Sequence, residues 1–448
     1  MKEAQVLLLL HMRRCWLIEF PDSETMVVVT WIDFPIPKIH GMWLMVYNHL
    51  CDRYDVLYIL RRVPVAQSGS SLLCMNCTNF MEWVTGNGAR HFGVDIRDCS
   101  KEGGRGLFAT RDFREGETII CIPMEIIITA GFVAEMPSYC GVFKRYHLKP
   151  FEALVYFFLV EKDENSKWSP YLKMLPKSFT TPANLHPNLE PEDFPYCLRK
   201  QWYVQKNELK MMYEKFVTIL AEGATWDNFL WSWHIVNTRC IYRDNKPHPL
   251  IDNVEGDSIA IVPLIDMLNH SNDNQCCAIW DSKLNLYKVI VTRSIRKGEQ
   301  IFICYGSHTN GSLWIEYGFY LRDNICNKVE ISLEDFMRLA NAAGISFSGL
   351  HRKAVLQANF PCSVYASDVK PNFGFKANLA LLKMNCSKLE LWAKVIYEET
   401  EAVTDNDVLV IIRLLRDEII ESKKKSPQET RWLWNEQIAL LHAFLNID

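Results

Sequence analysis

Two clusters of polar residues that could hold a ligand follow apolar runs in the second half of the chain. The first run ends on Asp266, Asn269 and His270, and the second leads directly into Tyr305 and Gly306. Polar groups that emerge at strand ends can grip a ligand, because rigid backbones carry them. Two such clusters within one short stretch therefore predict a binding or catalytic site.

A His/Asp pair in such a site could indicate hydrolysis, but the sequence offers no nucleophile for that reaction. Hydrolases of this kind place a Ser or Cys in a defined context such as the GxSxG elbow. No residue of the chain lies in a motif of that kind, and Cys276-Cys277 lacks the context of a catalytic thiol. The two clusters are therefore interpreted as parts of a binding pocket.

Strands and turns predicted around the clusters would position them. Apolar runs at residues 277–280 and 286–292, joined by the turn-forming residues 281–283, predict a hairpin between the clusters. Residues 114–120 and 296–302 share a charged turn with Gly-Glu that precedes an apolar strand. We interpret these as two similarly built connections, since nothing else recurs at a fixed period.

A glycine-rich stretch upstream provides a second backbone feature that could contact a ligand. Gly103-Gly104-Arg105-Gly106 has glycines at closely spaced positions. Glycine lets main-chain groups approach a ligand without a Cβ in the way. On glycine content alone, an ordinary hairpin turn is the alternative, and the position of this stretch upstream of the other clusters favours the ligand.

Apolar residues three and four apart predict helices in two parts of the chain. The first part contains the candidate helices 151–161, 203–220 and 226–236. The second part contains the candidate helices 379–394, 406–422 and 430–445. Ser332 with Asp335 predicts a helix cap, and Lys423–Pro427 is interpreted as a solvated loop.

Taken together, these motifs resemble the SET domain of protein-lysine methyltransferases, of the Rubisco large-subunit methyltransferase branch. Asn269-His270-Ser271 matches the family's NHS box, and Tyr305-Gly306 matches its terminal tyrosine motif. Neither box is specific alone, but their order, their separation and the upstream glycines make the match specific. The resemblance covers roughly residues 78–448.

The resemblance implies an α+β fold in which small β-sheets form a SET domain over residues 78–322. A helical insertion would occupy about residues 130–255, and an all-helical substrate-binding domain would follow over residues 323–448. Residues 1–77 have no recognisable pattern. Either a small ordered lobe or an extension outside the functional unit would fit them.

The resemblance also implies the roles of the site residues. S-adenosylmethionine would be held by main-chain and side-chain groups of Gly103, Gly104, Arg105, Gly106, Arg239, Asp266, Asn269, His270 and Tyr305. Arg239 would pair with the carboxylate of the cofactor, while His234 is interpreted as a core residue. Tyr305 would be the catalytic residue, and Tyr317 and Phe319 would line the substrate channel.

Composition limits the partners and the compartment. The formal net charge of −4 argues against binding to duplex nucleic acid through phosphate neutralisation. Fifteen scattered cysteines favour reduced thiols of an intracellular protein. Cys74-Met75-Asn76-Cys77 has no second ligand pair, so no metal is expected. No stretch approaches eighteen apolar residues, which argues against a membrane span.

The resulting hypothesis is an S-adenosylmethionine-dependent protein-lysine N-methyltransferase. Its substrate would be a histone or another intracellular protein, and the enzyme would be a cytoplasmic and nuclear monomer. Two alternatives stay open: a catalytically weak SET protein that serves as a peptide-binding adaptor, and a protein-histidine methyltransferase. The sequence does not identify the substrate or the number of methyl groups added.

Overall fold

The computed structural model describes residues 15–19, 25–31, 42–48, 70–99, 104–161, 164–252 and 256–446. Two compact units are present, residues 1–75 and residues 76–448. In the first unit, three strands form an antiparallel sheet in the order β1-β2-β3. They are β1 (Cys15–Glu19), β2 (Thr25–Trp31) and β3 (Met42–Asn48).

The second unit opens with the strands of the predicted SET domain, called the SET core below. Helix α1 (Ser70–Gly86) leads into them. Four strands follow: β4 (Arg90–His91), β5 (Val94–Asp98), β6 (Arg105–Ala109) and β7 (Thr118–Pro123). Strands β5 and β6 form a hairpin, with Asp98 opposite Arg105, so Gly104 directly precedes β6 and Gly106 lies within it.

Seven helices then form the insertion within the SET core. They are α2 (Ala130–Glu135), α3 (Cys140–Tyr146), α4 (Pro150–Val160), α5 (Ser169–Leu172), α6 (Pro182–Leu185), α7 (Tyr196–Leu220) and α8 (Trp226–Arg239). Helix α4 is buried along nearly its whole length, which agrees with its apolar sequence. All three helices predicted from periodicity in this part are present.

The chain then returns to the SET core through β8 (Cys240–Tyr242), β9 (Ile259–Ile261), β10 (Asn269–His270), β11 (Cys276–Asp281), β12 (Leu286–Val291), β13 (Phe302–Ile303) and α9 (Asn310–Tyr317). The predicted hairpin is present as β11 and β12, and it joins a four-stranded sheet in the order β11-β12-β7-β4. The short sheets agree with the expected fold class.

The two Gly-Glu turns have the same local structure. In the first, Glu117 accepts a hydrogen bond from the backbone N–H of Arg114 at 2.9 Å. In the second, Glu299 accepts from the N–H of Arg296, also at 2.9 Å. Each turn has its glycine at positive φ, which a residue with a Cβ rarely adopts. The second turn begins the segment that carries Tyr305.

The C-terminal region is predominantly helical, as expected, but it also contains a small antiparallel sheet that the periodicity did not predict. Its strands are β14 (Lys328–Ile331), β15 (Cys362–Tyr365) and β16 (Lys370–Pro371). Its helices are α10 (Leu333–Ala342), α11 (Gly349–Ala358), α12 (Phe373–Lys383), α13 (Trp392–Glu401), α14 (Asp405–Lys425) and α15 (Arg431–Leu445). The domain is therefore not all-helical.

Two local predictions in this region are corrected by the structure. The helix expected over residues 379–394 is interrupted by a 3-10 segment, Cys386–Leu391, between α12 and α13. Lys423, Lys424 and Lys425 form the last turn of α14 and are not part of a loop. Cations stabilise that end of a helix because they face its partial negative charge. The Ser332 cap is confirmed, since its hydroxyl accepts from the N–H of Asp335 at 3.0 Å.

Two hydrophobic cores pack these elements. One is built almost entirely from SET-core and insertion residues, and Leu433 on α15 joins it from the C-terminal region. The other lies within the C-terminal region. No helix among the described residues is long and apolar enough to cross a lipid bilayer.

Candidate active site

A short parallel pairing brings the two polar clusters together. Asn269 on β10 lies opposite Phe302 on β13, and His270 lies opposite Ile303. The N–H of Ser271 continues the ladder by donating to the carbonyl of Ile303 at 3.0 Å. The Asn-His step therefore runs beside the strand that leads to Tyr305, although the two are distant in sequence.

The glycine-rich turn is held against the same Asn-His step. The side-chain amide of Asn269 donates to the carbonyl of Arg105 at 3.1 Å. A Cβ placed on Gly106 would lie 2.8 Å from Nδ2 of Asn269 and would also collide with Nε2 of Gln300. A side chain at position 106 would therefore have to displace the amide groups of Asn269 and Gln300.

Replacing Gly106 with Ala should weaken cofactor binding by at least about tenfold, since the new methyl displaces both neighbouring amides and such overpacking costs roughly 1–3 kcal/mol. Gly141→Ala is the matched control, because a Cβ there meets nothing within 4 Å. Isothermal titration with S-adenosylhomocysteine measures the effect. Equal affinities for the two variants would contradict this packing role of Gly106.

Tyr305 is fixed by hydrogen bonds at both ends of the residue. Its hydroxyl donates to the backbone carbonyl of Leu268 at 2.6 Å. Its backbone N–H donates to Nδ1 of His270 at 3.1 Å, and the two rings stack with centroids 5.2 Å apart. Burial raises the pKa of Tyr305, so the phenol is a neutral hydrogen-bond donor at physiological pH.

His270 is held as a neutral imidazole. Burial lowers its pKa, the nearby ring of His308 lowers it further, and a backbone hydrogen bond at Ile303 acts against this fall. Because Nδ1 accepts from Tyr305, the ring proton must reside on Nε2. That Nε2 is buried and has no hydrogen-bond partner among the residues that the structure describes. It is therefore a donor available to a ligand.

Aromatic rings surround the phenol of Tyr305. The ring of Tyr317 lies 5.2 Å from that of Tyr305, and Phe319 lies 6.0 Å from Tyr317 and 6.2 Å from His270. Burial raises the pKa of Tyr317 to about 12, so this ring is also neutral. The structure thus groups the two predicted channel residues with the predicted catalytic residue. Such rings attract alkylammonium and sulfonium cations through their π faces.

Asp266 lies at the centre of a buried polar triad. Its Oδ2 accepts from the hydroxyl of Tyr171 at 2.7 Å and pairs with Nη1 of Arg239 at 3.0 Å. Nη1 of Arg239 also donates to the backbone carbonyl of Asp266 at 3.1 Å. Burial raises the pKa of Asp266, and the charge of Arg239 and the hydrogen bond from Tyr171 act against that rise. The triad joins α5 and α8 of the insertion to the segment before β10.

The backbone directly before Asp266 has a strained conformation. Leu264 has a φ of 74°, an uncommon conformation for a residue with a branched side chain, and it begins a single 3-10 turn, Ile265–Met267. Strain of this kind persists only where contacts with the surrounding structure hold the conformation in place, and it is common at functional sites. Here the triad and the β10–β13 pairing hold the turn in place.

Four buried polar atoms in this region have no hydrogen-bond partner in the described part of the chain. They are Nε2 of His270, Nε2 of Gln300, Oδ1 of Asp266 and Nε of Arg239. Leaving such groups unpaired costs about 1–3 kcal/mol each, so a bound polar ligand would offset that cost. Together with the bare Gly106 backbone, they define a polar cradle beside Tyr305.

The structure also places the other predicted residues. Gly104 lies at the turn with a φ of 75°, while Gly103 lies outside the described residues. The guanidinium of Arg105 points to the carbonyl of Met174 at 2.5 Å, so only its main chain faces Asn269. His234 is fully buried, with both ring nitrogens hydrogen-bonded, as expected for a core residue.

Sequence reasoning missed two members of the site. Gln300 was treated only as part of a turn, yet its amide lies beside Gly106 because Gln300 bridges to Phe108 on β6. Tyr171 was not among the predicted site residues, yet its hydroxyl donates to Oδ2 of Asp266. No local pattern could have revealed either role. Within the part of the chain that the structure describes, no group of His, Cys, Asp or Glu is arranged to hold a metal.

Comparison with known proteins identifies the family and the fold that this chain resembles. Residues 104–306 match the family model described as SET domain. The SET domain of LSMT, solved with lysine and AdoHcy bound, superposes with a TM-score of 0.54 at 18% identity, covering 84% of this chain and 91% of that one. Residues 104–306 therefore match a SET domain, and SET methyltransferases use S-adenosylmethionine as methyl donor.

Within that class, the chain is homologous to SET domain-containing protein 4. It is 28% identical to the protein of that name from Homo sapiens over 371 residues, covering 78% of this chain and 82% of the relative. It is also 25% identical over 305 residues to an actin-histidine N-methyltransferase from Callithrix jacchus, covering 63% of this chain and 49% of the relative. The expected resemblance is confirmed, and relatives with different acceptors are present.

Proposed function

We propose that the protein transfers a methyl group from S-adenosylmethionine to the side chain of a lysine in an intracellular protein. The observation that carries this proposal is the position of the Tyr305 hydroxyl. It is fixed by Leu268, lies among aromatic rings, and is joined through His270 and Asn269 to the bare backbone of Gly106. The site for the methyl donor and the site for the lysine that accepts the methyl group would thus meet at the Tyr305 phenol.

The residues of the polar cradle fit the chemical groups of S-adenosylmethionine. This co-substrate supplies an electrophilic methyl carbon bonded to a positively charged sulfur. The main chain at Gly104–Gly106 and the free Nε2 of His270 would hold the adenosine part. The free edge of Arg239 would face a carboxylate, for which a guanidinium is suited because its N–H groups are fixed in one plane.

The aromatic surroundings suit a lysine acceptor. The amine must be neutral to attack, and removing the proton of a free lysine costs about 4–5 kcal/mol at pH 7. Enclosure by Tyr305, Tyr317 and Phe319 would remove water from the ammonium and lower its pKa. No strong base is needed, which agrees with the neutral state of His270 and the high pKa of the Tyr305 phenol.

Alignment of the amine is then the main task of the protein. A displacement at carbon requires the nucleophile, the methyl carbon and the leaving group to lie in line. The oxygen of Tyr305 already donates its proton to Leu268, so its lone pairs can accept from the amine. This fixed acceptor would orient the amine and would stabilise the partly charged methyl group of the transition state.

The rest of the proposal concerns the substrate and the setting. We propose a protein substrate that reaches the channel from outside, with histones among the candidates, and a monomeric enzyme working in the cytoplasm and the nucleus. The C-terminal domain would bind the substrate. Its composition and the chain's net charge of −4 favour a basic peptide segment over nucleic acid.

A histidine acceptor is the second candidate, since a relative is named an actin-histidine N-methyltransferase. A neutral imidazole needs no deprotonation before it attacks. The Tyr305 oxygen could also accept from an imidazole N–H. Location of the added methyl group by tandem mass spectrometry separates the two acceptors, because the mass of the modified residue differs.

Incubation of the purified chain with radiolabelled S-adenosylmethionine and mixed histones or cell extract tests the proposal. We expect label in protein, on lysine, and loss of that label in Tyr305→Phe. Label on histidine would replace the lysine assignment. Binding of peptides with neither label transfer nor affinity for the cofactor would identify the chain as an adaptor instead.

A further inference from the structure

The segment that follows Tyr305 is held by a buried network of side-chain amides. Gly306 has a φ of 135°, and the chain turns at His308 before α9 begins. The carbonyl of His308 accepts from Nδ2 of Asn324 at 2.9 Å. Nδ2 of Asn324 also donates to Oδ1 of Asn310 at 2.9 Å. The turn after the predicted catalytic residue therefore depends on two asparagines.

Asn310 has its polar groups paired, so its orientation is determined. Its N–H donates to Oδ1 of Asn327 at 2.8 Å, and its Oδ1 accepts from the N–H of Leu321 at 3.0 Å. Its Nδ2 donates to the carbonyl of Leu321 at 2.8 Å and to Oε1 of Glu436 at 2.6 Å. The side chain is only 1% exposed, so water cannot replace a lost partner.

Glu436 is the acidic member of this network and comes from α15 of the C-terminal domain. Its carboxylate accepts from the side chains of Asn310 and Asn327. Burial raises the pKa of Glu436, and these two hydrogen bonds act against the rise. Lys328 lines the same small cavity, but its ammonium pairs with Glu330 at 2.5 Å. The two asparagine amides are thus the hydrogen-bond partners that the structure gives the carboxylate.

A second branch of the network reaches the Asn-His step. Oδ1 of Asn324 accepts from Nδ2 of Asn272 at 2.8 Å and from the N–H of Cys326 at 2.9 Å. Asn272 follows Ser271, which pairs with β13 through its backbone. Asn324 therefore joins the ends of both polar clusters of the candidate active site.

From these contacts we propose that Glu436 is a positioning residue for the methyl-transfer site. Through Asn310 and Asn324 it fixes the turn after Tyr305 and the end of the Asn-His step. The C-terminal domain then contributes to the rate of methyl transfer as well as to substrate binding. This inference rests on the proposed function for its catalytic part and on geometry alone for its structural part.

A carboxylate is required at this position because both of its partners are donors. An ionised carboxylate only accepts hydrogen bonds, so the amide groups of Asn310 and Asn327 must direct their NH₂ groups toward it. In this orientation, Oδ1 of Asn310 accepts from the N–H of Leu321 and from Nδ2 of Asn324. A glutamine at position 436 would direct its own NH₂ group at one of these donors, and the network would lose a defined orientation.

Glu436→Gln in the full-length chain tests the inference, with Glu418→Gln as the matched control. Glu418 lies on α14 of the same domain and pairs with the exposed Arg338, outside the network. Two measurements are made: steady-state methyl transfer to a peptide identified with the wild-type chain, and amide hydrogen exchange followed by mass spectrometry. Glu436→Asp is the conservative variant, since it keeps the charge on a shorter side chain.

For Glu436→Gln we expect kcat to fall about tenfold, with the KM for the peptide within about twofold of wild type. Hydrogen exchange should become faster in peptides covering residues 269–275 and 303–312, while exchange in α14 is unchanged. Glu418→Gln should match wild type in all of these measurements. Glu436→Asp should recover part of kcat and part of the exchange protection.

A rise in KM alone, with normal kcat and exchange, would overturn the inference and leave Glu436 a role only in substrate docking. Should Glu436→Gln fail to fold, the exchange in Glu436→Ala decides, because wild-type protection at residues 303–312 without any carboxylate would contradict the network. Absence of methyl transfer by the wild-type chain would count against the proposed function. The exchange comparison would still decide whether Glu436 holds the turn.

Discussion

Replacing Tyr305 with Phe should lower kcat by about 10²–10³-fold, because a fixed hydrogen-bonding group at the reacting centre contributes on that scale. The variant removes one oxygen, which donates to the carbonyl of Leu268, from a ring that lies 5.2 Å from the ring of Tyr317. The ring itself, with its stacking against His270, is retained. The loss should therefore appear in kcat, with the affinity for S-adenosylhomocysteine nearly unchanged.

Tyr320→Phe is the matched control, since Tyr320 is 63% exposed and its ring lies against that of Trp432, with the centroids 4.9 Å apart. It should retain wild-type kcat. Thermal unfolding of both variants is needed as well, because the carbonyl of Leu268 loses its donor in Tyr305→Phe, at a cost of about 1–3 kcal/mol. Transfer by Tyr305→Phe at more than about a tenth of the wild-type rate would contradict the catalytic assignment.

Replacing Asp266 with Ala should have the largest effect on stability. The change leaves the guanidinium of Arg239 and the hydroxyl of Tyr171 without their shared carboxylate, and Tyr171 is fully buried. Removal of one partner from a buried ion pair destabilises a protein by about 3–5 kcal/mol, because an uncompensated charge stays behind. We expect a corresponding loss in the free energy of unfolding, measured by urea titration.

Asp95→Ala provides the comparison, because Asp95 also pairs with an arginine, Arg97 at 3.2 Å, but both side chains are about half exposed. Exposed pairs contribute at most about 1 kcal/mol, since solvent screens them and both side chains lose freedom. Similar losses for the two variants would show that the Asp266 triad is not the structural centre of the site. A free energy of unfolding close to wild type in Asp266→Ala would also contradict the structural role given to the Arg239–Asp266 pair.

Several features of the protein could be predicted from the sequence because they depend on neighbouring residues. Apolar periodicity located α4, α7 and α8, and alternating strands around a polar turn located the hairpin β11–β12. The Ser332 cap and the repeated Gly-Glu turns were likewise local in origin. Where a pattern crossed a 3-10 segment, as at residues 386–391, the predicted helix was too long.

The motifs also predicted residues that come together in the structure, since the SET resemblance depends on their order along the chain. Gly106, Asn269, His270 and Tyr305 do come together, and Tyr317 and Phe319 lie beside them. Their individual contacts with a cofactor or an acceptor stay predictions.

The partners of these residues were decided only by the tertiary structure. Tyr171 reaches Asp266 across 95 positions, and Asn310 reaches Glu436 across 126. Pairings of that kind arise because a buried polar group must find a partner wherever the packing of distant elements places one. The sequence by itself determined which segments form the site, through local pattern and motif order. Which atoms hold it in shape depended on packing between segments, and no local pattern encodes such packing.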